Sequence, residues 1–368
     1  MKSELKNICD LINEKISANE LINNNLASTY VSTESMLPNK RGITKPSSIP
    51  SKGTTTAYKK DDVLVSNIRA YFKKIWSANY DGVCSNDVLV FRAKNTADAN
   101  FLYYVLANDD FFVYSMATSK GTKMPRGDKA SIMKYEVESF DLNTQRKIAS
   151  ILKPIDKKIE LNNAINNNLE QQVSVLYQSW FEDFEITNGV CPENWSYQEL
   201  STIADVASGK RPPVKSDNCN EKTPISIVGA ASVMGFTSEA NHIDKILVTG
   251  RVGTHGVIQR FNTPCWTSDN TLVITSPYYE FTNQILHRID YSSMNRGSTQ
   301  PLITQGDMKK VVVLVPDEDT LTKFEEFAGS LMAKWEANNK ENVKLASLRD
   351  TLLPKLMSGE LDVSNVDL

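Results

Sequence analysis

Residues 144–181, TQRKIASILKPIDKKIELNNAINNNLEQQVSVLYQSWF, carry apolar positions spaced alternately four and three residues apart. This spacing is typical of the seam along which two helices pack in a coiled coil. Two positions in the middle of the seam hold asparagine, Asn162 and Asn166. The stretch therefore predicts one long packing helix with a polar middle. Its apolar seam positions are Ile148, Leu152, Ile155, Ile159, Leu169, Val173, Leu176 and Trp180.

The seam pattern returns 176 residues later, and Asn338 and Asn342 then occupy the places of Asn162 and Asn166. If the two helices pair antiparallel, Asn162 faces Asn342 and Asn166 faces Asn338. Buried amides would fix the helix register, because a slip would place them against leucine. The alternative is that the stretch is merely asparagine-rich and frayed. The other positions of the second seam are Phe324, Ala328, Leu331, Trp335, Leu345, Arg349, Leu352 and Leu356.

A proline lies inside the first helical stretch. Pro154 removes a backbone hydrogen bond and crowds the carbonyl group of residue 150, so we expect either a kink or a short leading helix before the main one. The second stretch is predicted to end cleanly, because Pro354 lies near its last turn and Gly359 follows.

The rest of the chain also repeats. Residues 63–65 (VLV) and 85–90 (SNDVLV) return 183 positions later as residues 246–248 (ILV) and 268–273 (SDNTLV). These segments read as buried strands bounded by polar turns. Residues 29–58 and 209–241, by contrast, show no similarity to each other. A duplication with shared frames and unrelated inserts predicts internal pseudo-twofold symmetry and two reading heads of different specificity.

Composition indicates a globular protein of two or three domains in 368 residues. The N-terminus has no signal-peptide core, and no apolar run is long enough to span a membrane, so we expect a cytoplasmic protein without a membrane partner. Five scattered cysteines and three histidines predict neither disulfides nor a metal site. The net charge of −3 gives no support to nucleic-acid binding. Residues 40–74, however, hold nine basic residues against two acidic ones, which indicates either phosphate contacts or solvated surface.

The chain also carries an ordered set of short motifs. The second copy departs from the pattern, because residues 321–324 read LTKF where the first copy has QRKI. The contacts at the start of the second helix are therefore less defined. The motifs are residues 61–65 (DDVLV), 145–152 (QRKIASIL), 155–159 (IDKKI), 176–181 (LYQSWF), 244–248 (DKILV), 348–356 (LRDTLLPKL) and 358–361 (SGEL). In this order they resemble the specificity subunit of type I restriction–modification enzymes.

The resemblance implies an α+β chain in which two globular mixed α/β target-recognition domains are separated by two long antiparallel coiled-coil helices. The implied order is recognition domain 1 (residues 1–142), helix 1 (143–184), recognition domain 2 (185–316), helix 2 (317–358) and a C-terminal tail (359–368).

The resemblance also implies the function. Each recognition domain would read one half of a bipartite, asymmetric site in double-stranded DNA, and the helices would set the spacer length. Two methyltransferase subunits, which carry S-adenosylmethionine, would dock on the helices. Restriction subunits, which use ATP and magnesium, would join them.

This chain itself is predicted to be a non-catalytic subunit without a cofactor. It lacks the Asp/Asn-Pro-Pro-Tyr/Phe box and the glycine-rich cofactor turn of adenine methyltransferases. Residues 250–256 (GRVGTHG) lack the spacing of a nucleotide-binding loop and read as a turn that brings Arg251 near a partner.

Candidate DNA contacts are polar or basic residues in divergent loops or just after the frame strands. Arginine is the expected reader of guanine and glutamine of adenine, whereas lysine is expected to contact phosphate. The alternative for each is surface solvation or a salt bridge within the domain. The candidates are Arg69, Lys73, Lys74, Lys120, Lys123 and Arg126 in the first head, and Lys210, Arg211, Arg251, His255, Arg260, Arg296, Ser298 and Gln300 in the second.

Two other functions remain open at this point. A coiled-coil scaffold whose heads bind proteins would show exposed hydrophobic surface on the heads where a DNA reader shows basic grooves. An enzyme with an unrecognised site is disfavoured by the scarcity of histidine and the lack of a nucleophile or metal constellation.

Overall fold

The computed structural model describes residues 2–23, 26–121, 124–294 and 302–367. The chain forms two compact units. Unit 1 comprises Met1–Asn162 together with Lys340–Leu368, and unit 2 comprises Asn163–Asn339. Each unit therefore contains part of both long helices.

Unit 1 is built on two four-stranded sheets and one two-stranded ribbon. Its strands are β1 Lys2–Glu4, β2 Cys9–Ile12, β3 Lys15–Ser17, β4 Tyr30–Val31, β5 Thr54–Tyr58, β6 Val63–Ser66, β7 Ile75–Ser77, β8 Gly82–Cys84, β9 Val88–Ala93 and β10 Glu136–Glu138. Its shorter helices are α1 Ala18–Asn23, α2 Ala99–Ala107, α3 Asp109–Ala117 and α4 Lys129–Ile132, and the long helix α5 Leu142–Phe181 begins in this unit.

The first sheet of unit 1, in the order β2-β9-β6-β7, is antiparallel throughout. Every residue of β6 is buried, which explains why this strand reads as a continuous apolar run and does not alternate with polar residues. The second sheet has the order β3-β5-β8-β4, with β4 and β8 parallel. Phe91, Phe101 and Leu152 share the main core with Leu353 and Leu356 from the end of the chain. Unit 1 thus requires residues from both ends of the sequence.

Unit 2 repeats this frame. Its first sheet has the order β12-β18-β15-β16 and its ribbon pairs β11 with β19. Its strands are β11 Ser196–Glu199, β12 Asp205–Ser208, β13 Ile225–Val228, β14 Val233–Thr237, β15 Ile246–Gly250, β16 Gln259–Phe261, β17 Cys265–Thr267, β18 Thr271–Thr275 and β19 Val312–Val315. Its helices are α6 Tyr279–Arg288 and α7 Gln305–Lys309, and the long helix α8 Glu318–Met357 begins here.

The repeated segments of the sequence are central, paired strands of both first sheets. Residues 63–65 and 88–91 lie in neighbouring β6 and β9, and residues 246–248 and 271–274 lie in neighbouring β15 and β18. The inserts differ, because the second sheet of unit 2 has three strands in the order β14-β13-β17. The predicted α+β fold with two similar globular parts and two long helices is therefore confirmed. The five domain boundaries drawn from the sequence stay a prediction.

The two long helices contain 40 residues each, which corresponds to a length of about 60 Å. Pro154 lies inside α5 without ending it, so no separate leading helix precedes the main one. In unit 1 the helices pair antiparallel: Asp156 contacts Arg349, and further along α5 Asn162 contacts Asn342. In unit 2 the pairing is also antiparallel. Asn166 contacts Asn338, whereas Trp180, further along α5, contacts Phe324, which comes earlier in α8.

The seam asparagines contact each other within each unit. In unit 1, Asn162 Nδ2 donates to Asn342 Oδ1 over 2.9 Å. In unit 2, Asn338 Nδ2 donates to Asn166 Oδ1 over 2.9 Å, and Asn166 Nδ2 donates to Asn339 Oδ1 over 3.0 Å. Asn162, Asn166 and Asn338 are at most 5% exposed. The contacts are those expected for an antiparallel pair, and a role in fixing the register remains a prediction.

The buried amides should behave as a coupled pair in unfolding experiments. Asn338→Leu leaves Asn166 Oδ1 buried without its donor, and we expect it to lower the free energy of unfolding by about 1–3 kcal/mol. Asn166→Leu combined with Asn338→Leu should recover part of that loss, because apolar contacts replace the pair. Thermal unfolding of both single variants and the double variant measures the coupling. Asn167→Leu, at an exposed position of the same helix, is the control, and additive losses in the double variant would contradict the pairing.

Glu325 is a polar side chain inside unit 2. Its Oε1 and Oε2 atoms accept hydrogen bonds from the backbone N–H groups of Phe281 and Glu280, at 2.8 and 3.1 Å, at the start of α6. Burial raises the pKa of the Glu325 carboxyl to about 7, and these two hydrogen bonds only partly oppose the shift. The folded state therefore holds a proton that the unfolded chain releases near pH 4.5.

This pKa makes the stability of unit 2 depend on pH. A carboxyl whose pKa is raised on folding stabilises the fold at low pH, and that contribution is lost as the pH rises from 4.5 to about 7. We expect Glu325→Gln to flatten the fall in melting temperature across this window, as measured by thermal unfolding at a series of pH values. The exposed neighbour Glu326, changed to glutamine, should leave the wild-type slope in place. An unchanged slope in Glu325→Gln would show that another group is responsible.

Candidate nucleic-acid interface

Loops of unit 1 converge at one end of its first sheet to form loop edge 1, which we define as residues 66–69, 85–87, 120–121 and 124–127. The backbone N–H of Asn67 donates to the Asp87 carbonyl oxygen over 2.8 Å, and Arg69 N–H donates to Pro125 O over 3.0 Å. Lys120 and Arg126 exchange two backbone hydrogen bonds. The repeated SND turn therefore lies in the middle of a hydrogen-bonded group of loops.

Positive charge collects at loop edge 1. Lys120 is 82% exposed, with its ammonium group 3.7 Å from Asp128. Arg126 is 57% exposed, and its Nη2 atom contacts Asp87. A third cation, Lys15, reaches the turn of this edge, because its Nζ donates to Asn86 Oδ1 over 2.6 Å, and desolvation followed by repulsion from Lys129 lowers the pKa of its ammonium group. Such a concentration of cations suits a polyanion.

Loop edge 2 of unit 2 forms in the same way from residues 209–211, 229–232, 250–256 and 267–270. Arg251 N–H donates to Asn270 O over 2.8 Å, and Lys210 N–H donates to Thr267 O over 2.9 Å. A Cβ atom on Gly250 would lie 1.8 Å from the Thr254 carbonyl oxygen, so the turn after β15 can close only on glycine. Both units therefore present a tightly tied set of loops at the same end of the repeated frame.

Comparison with known proteins shows which proteins this chain is similar to. Residues 1–171 match the model of the type I restriction modification DNA specificity domain. The HindI specificity subunit of Haemophilus influenzae is 22% identical, with 83% of this chain and 87% of that protein covered. The MjaIX specificity subunit of Methanocaldococcus jannaschii is 25% identical, over 74% and 71%. Over most of its length, this chain is therefore similar to specificity subunits of type I restriction enzymes.

The fold is also similar to that of a solved structure. The crystal structure of the type I restriction-modification system S subunit from M. genitalium superposes with a TM-score of 0.58 at 18% identity, covering 97% of this chain and 96% of that one. At this identity the likeness supports the fold alone. In the part of this chain that the structure describes, no helix could span a membrane, and no cluster of three or more His, Cys, Asp or Glu side chains could hold a metal ion.

Four of the predicted DNA contacts lie at the loop edges. Lys120 and Arg126 lie at loop edge 1 as described. Lys210 and Arg211 are exposed at loop edge 2. These four side chains are placed where a DNA backbone or groove could reach them, and their contact with DNA stays a prediction.

Arg251 and His255 lie at loop edge 2 but are half-buried. His255 Nδ1 is 3.0 Å from the Gly250 carbonyl oxygen. Arg251 Nε and His255 Nε2 are buried and meet no hydrogen-bond partner among the described residues. A buried polar atom without a hydrogen bond costs free energy, and a ligand that supplies the bond would remove this cost. The two atoms are therefore compatible with a ligand at this edge.

Three predicted contacts are engaged inside their own unit, as the alternative interpretation had it. Lys73 Nζ contacts Asp109 Oδ2 over 2.7 Å, and Lys74 Nζ donates to the Thr33 carbonyl oxygen over 2.6 Å. Arg260 forms a bidentate pair with Glu280 at 2.7 and 2.6 Å and is only 12% exposed. Because both terminal nitrogens of this guanidinium group donate to Glu280, they are not available to donate to a base, and Arg260 is not part of the proposed interface.

The remaining predicted contacts are Arg69, Lys123, Arg296, Ser298 and Gln300. Arg69 is half-buried at loop edge 1, in the left-handed region at φ 53°, and its side chain has no partner within the part of the chain that the structure describes. Lys123, Arg296, Ser298 and Gln300 lie outside the described residues.

Sequence reasoning missed three residues at or beside the loop edges: Lys15, Asp87 and Asn270. Lys15 Nζ donates to Asn86 Oδ1 over 2.6 Å, and Asp87 contacts Arg126. The repeat of residues 85–90 was a signal for Asp87 and Asn270, since it marked this turn in both halves. From the sequence alone, this repeat predicts only the boundary of a strand.

Charges at the loop edges should govern the salt dependence of DNA binding. We expect Lys210→Ala with Arg211→Ala to reduce the log–log salt slope by up to about two, because each phosphate that a cation neutralises accounts for roughly 0.9 of the slope. Lys73→Ala with Lys74→Ala removes the same charge from side chains engaged within unit 1, and should change the slope less. Binding of cognate and random DNA by the assembled complex, titrated with salt, measures both. Equal slopes for the two double variants would contradict this placement.

Proposed function

We propose that this chain is the sequence-reading, non-catalytic subunit of a type I restriction–modification complex. The observation that carries the proposal is the repetition of one frame with unlike loop edges. In each unit the loop edge lies at the end of a four-stranded sheet, and the two sheets have corresponding strand orders. The exposed cations of the two edges differ in identity and position. A duplicated frame with two different edges suits one asymmetric DNA site that has two halves.

Each unit reads one half-site in this proposal. Unit 1 supplies Lys120 and Arg126, and unit 2 supplies Lys210, Arg211 and Arg251. Arginine discriminates bases through paired donors to guanine, whereas lysine mainly neutralises phosphate. The protein-binding scaffold is the weaker candidate, because the family match concerns a DNA specificity domain.

The remaining work of the complex falls to partner subunits. Two methyltransferase subunits dock on the long helices and bring S-adenosylmethionine, and restriction subunits bring ATP and magnesium. The rigid helices set the length of the unread spacer, because half-site separation is a geometric quantity on a helical duplex. A chromosomal DNA partner implies that the complex works in the cytoplasm.

Exchange of one recognition region tests the division into half-sites. Replacing residues 11–142 with the corresponding segment of another specificity subunit should change one half of the methylated sequence and leave the other half and the spacer unchanged. The reason is that loop edge 1 lies wholly within this segment, whereas loop edge 2 and most of the long helices lie outside it. Methylome sequencing of cells that express the chain with its methyltransferase subunit gives the result.

The reciprocal exchange of residues 196–315 is the matched control and should change only the other half. Both halves altered by one exchange, or a shifted spacer with the helices unchanged, would rule out modular reading. Absence of any sequence-specific methylation by the wild-type complex would refute the proposed function itself.

A further inference from the structure

Arg126 is held on an unusually well-supported backbone. Its N–H and carbonyl groups both bond to Lys120, at 3.0 and 2.9 Å, and on its other side it forms a bridge with Ile68. Gly127 follows directly, and a Cβ atom there would lie 2.7 Å from Ile132 Cδ1 and 2.8 Å from Asn67 Oδ1. The segment therefore packs closely after Arg126, and the backbone from which this side chain projects is rigid.

The Arg126 side chain is held as well, but only at one nitrogen. Nη2 contacts Asp87 Oδ1 and Oδ2 at 3.1 and 3.2 Å. Nε and Nη1 meet no partner among the residues that the structure describes, and the side chain is 57% exposed. Arginine has five N–H donors in a planar fork, so this contact restrains the group at Nη2 and leaves the donors of Nε and Nη1 available.

Stability of the fold does not account for this ion pair. An exposed pair of this kind contributes little to stability because solvent screens it. Unit 2 builds the same frame without it: Asn270 takes the place of Asp87, accepting the Arg251 N–H as Asp87 accepts that of Asn67. Leu302 takes the place of Arg126, in a bridge with Val252. Both members of the pair change together between the units.

We infer that Asp87 is a positioning residue that orients Arg126 to read a guanine in the first half-site, an inference that rests on the proposed function. Nη2 carries one N–H parallel to that of Nε and one parallel to an N–H of Nη1. The Nη2 N–H that Asp87 does not engage therefore forms, with its neighbour, a donor pair that matches the O6 and N7 acceptors of guanine in the major groove. The adjacent carboxylate repels phosphate, which favours a base edge over the DNA backbone as the partner of this guanidinium group. Asp87 itself contacts no base in this arrangement.

The test uses the full chain assembled with its methyltransferase subunits. Dissociation constants are measured for DNA duplexes in which each base pair of the first half-site is varied in turn. Arg126→Ala should reduce discrimination roughly 5- to 150-fold at a single G·C pair. Asp87→Ala should relax the same pair and no other, Asp87→Asn should relax it less, and Asp87→Ala should add nothing in the Arg126→Ala background.

A second acidic residue provides the control. Glu136 lies 3.5 Å from Lys2 in a similarly exposed ion pair of unit 1, and Glu136→Ala should relax no position. Arg126→Gln and Asp87→Asn keep hydrogen-bonding groups and serve if either alanine variant fails to assemble.

The outcomes distinguish the positioning role of Asp87 from the proposed function of the chain. A uniform loss of affinity across all sequences in Asp87→Ala, or relaxation at a different base pair from Arg126→Ala, would overturn the positioning role while the proposed function stands. A wild-type complex without sequence preference in either half would overturn the proposed function and this inference together.

Discussion

The buried amides of the long helices constrain everything built on them. An asparagine side chain enclosed by apolar seam residues must find a hydrogen-bonding partner, since an unpaired buried amide costs about 1–3 kcal/mol. In unit 1 that partner for Asn162 is Asn342, and in unit 2 the partner for Asn166 is Asn338. The register that satisfies the unit 1 pair also brings Leu353 and Leu356 into the core of the N-terminal sheets. The helix pairing that joins these amides thus also closes a unit made from both ends of the chain.

Each unit completes its helix seam with different chemistry. In unit 1, Arg349 Nη1 contacts Asp156 Oδ1 over 2.9 Å, and the Tyr104 hydroxyl of α2 donates to Asp156 Oδ2 over 2.8 Å. This network ties α2 to both long helices. The corresponding positions of unit 2 are Val173 and Met332, both at most 3% exposed. An aspartate at the position of Met332 would be buried without an arginine partner, which would lower the free energy of unfolding. The two seams are therefore not interchangeable.

Periodic features of the fold could be predicted from the sequence. The alternation of four and three residues identified both long helices, and the SND and SDN turns identified neighbouring frame strands. The same patterns could not tell which cations are free. Arg260 and Glu280 are 20 residues apart, and Lys73 and Asp109 are 36 apart, so only tertiary folding reveals these pairs. Pro154 does not interrupt the long helix, because packing of that helix outweighs the single hydrogen bond that proline removes, and the alternative expectation of a kink stays a prediction.

The buried strands maintain the fold, whereas the exposed loop edges carry the side chains proposed to read DNA. This separation would allow a duplicated chain to read an asymmetric site. Strands such as β6 and β15 are buried throughout, so substitutions there disturb the core. Asp87 and Arg126 lie on loops tied together mainly by backbone hydrogen bonds, and these bonds persist when the side chains change, as Asn270 and Leu302 demonstrate. Exposed substitutions of this kind usually alter stability by less than about 0.5 kcal/mol. Sequence preference in one half can therefore diverge from the other without loss of the common frame.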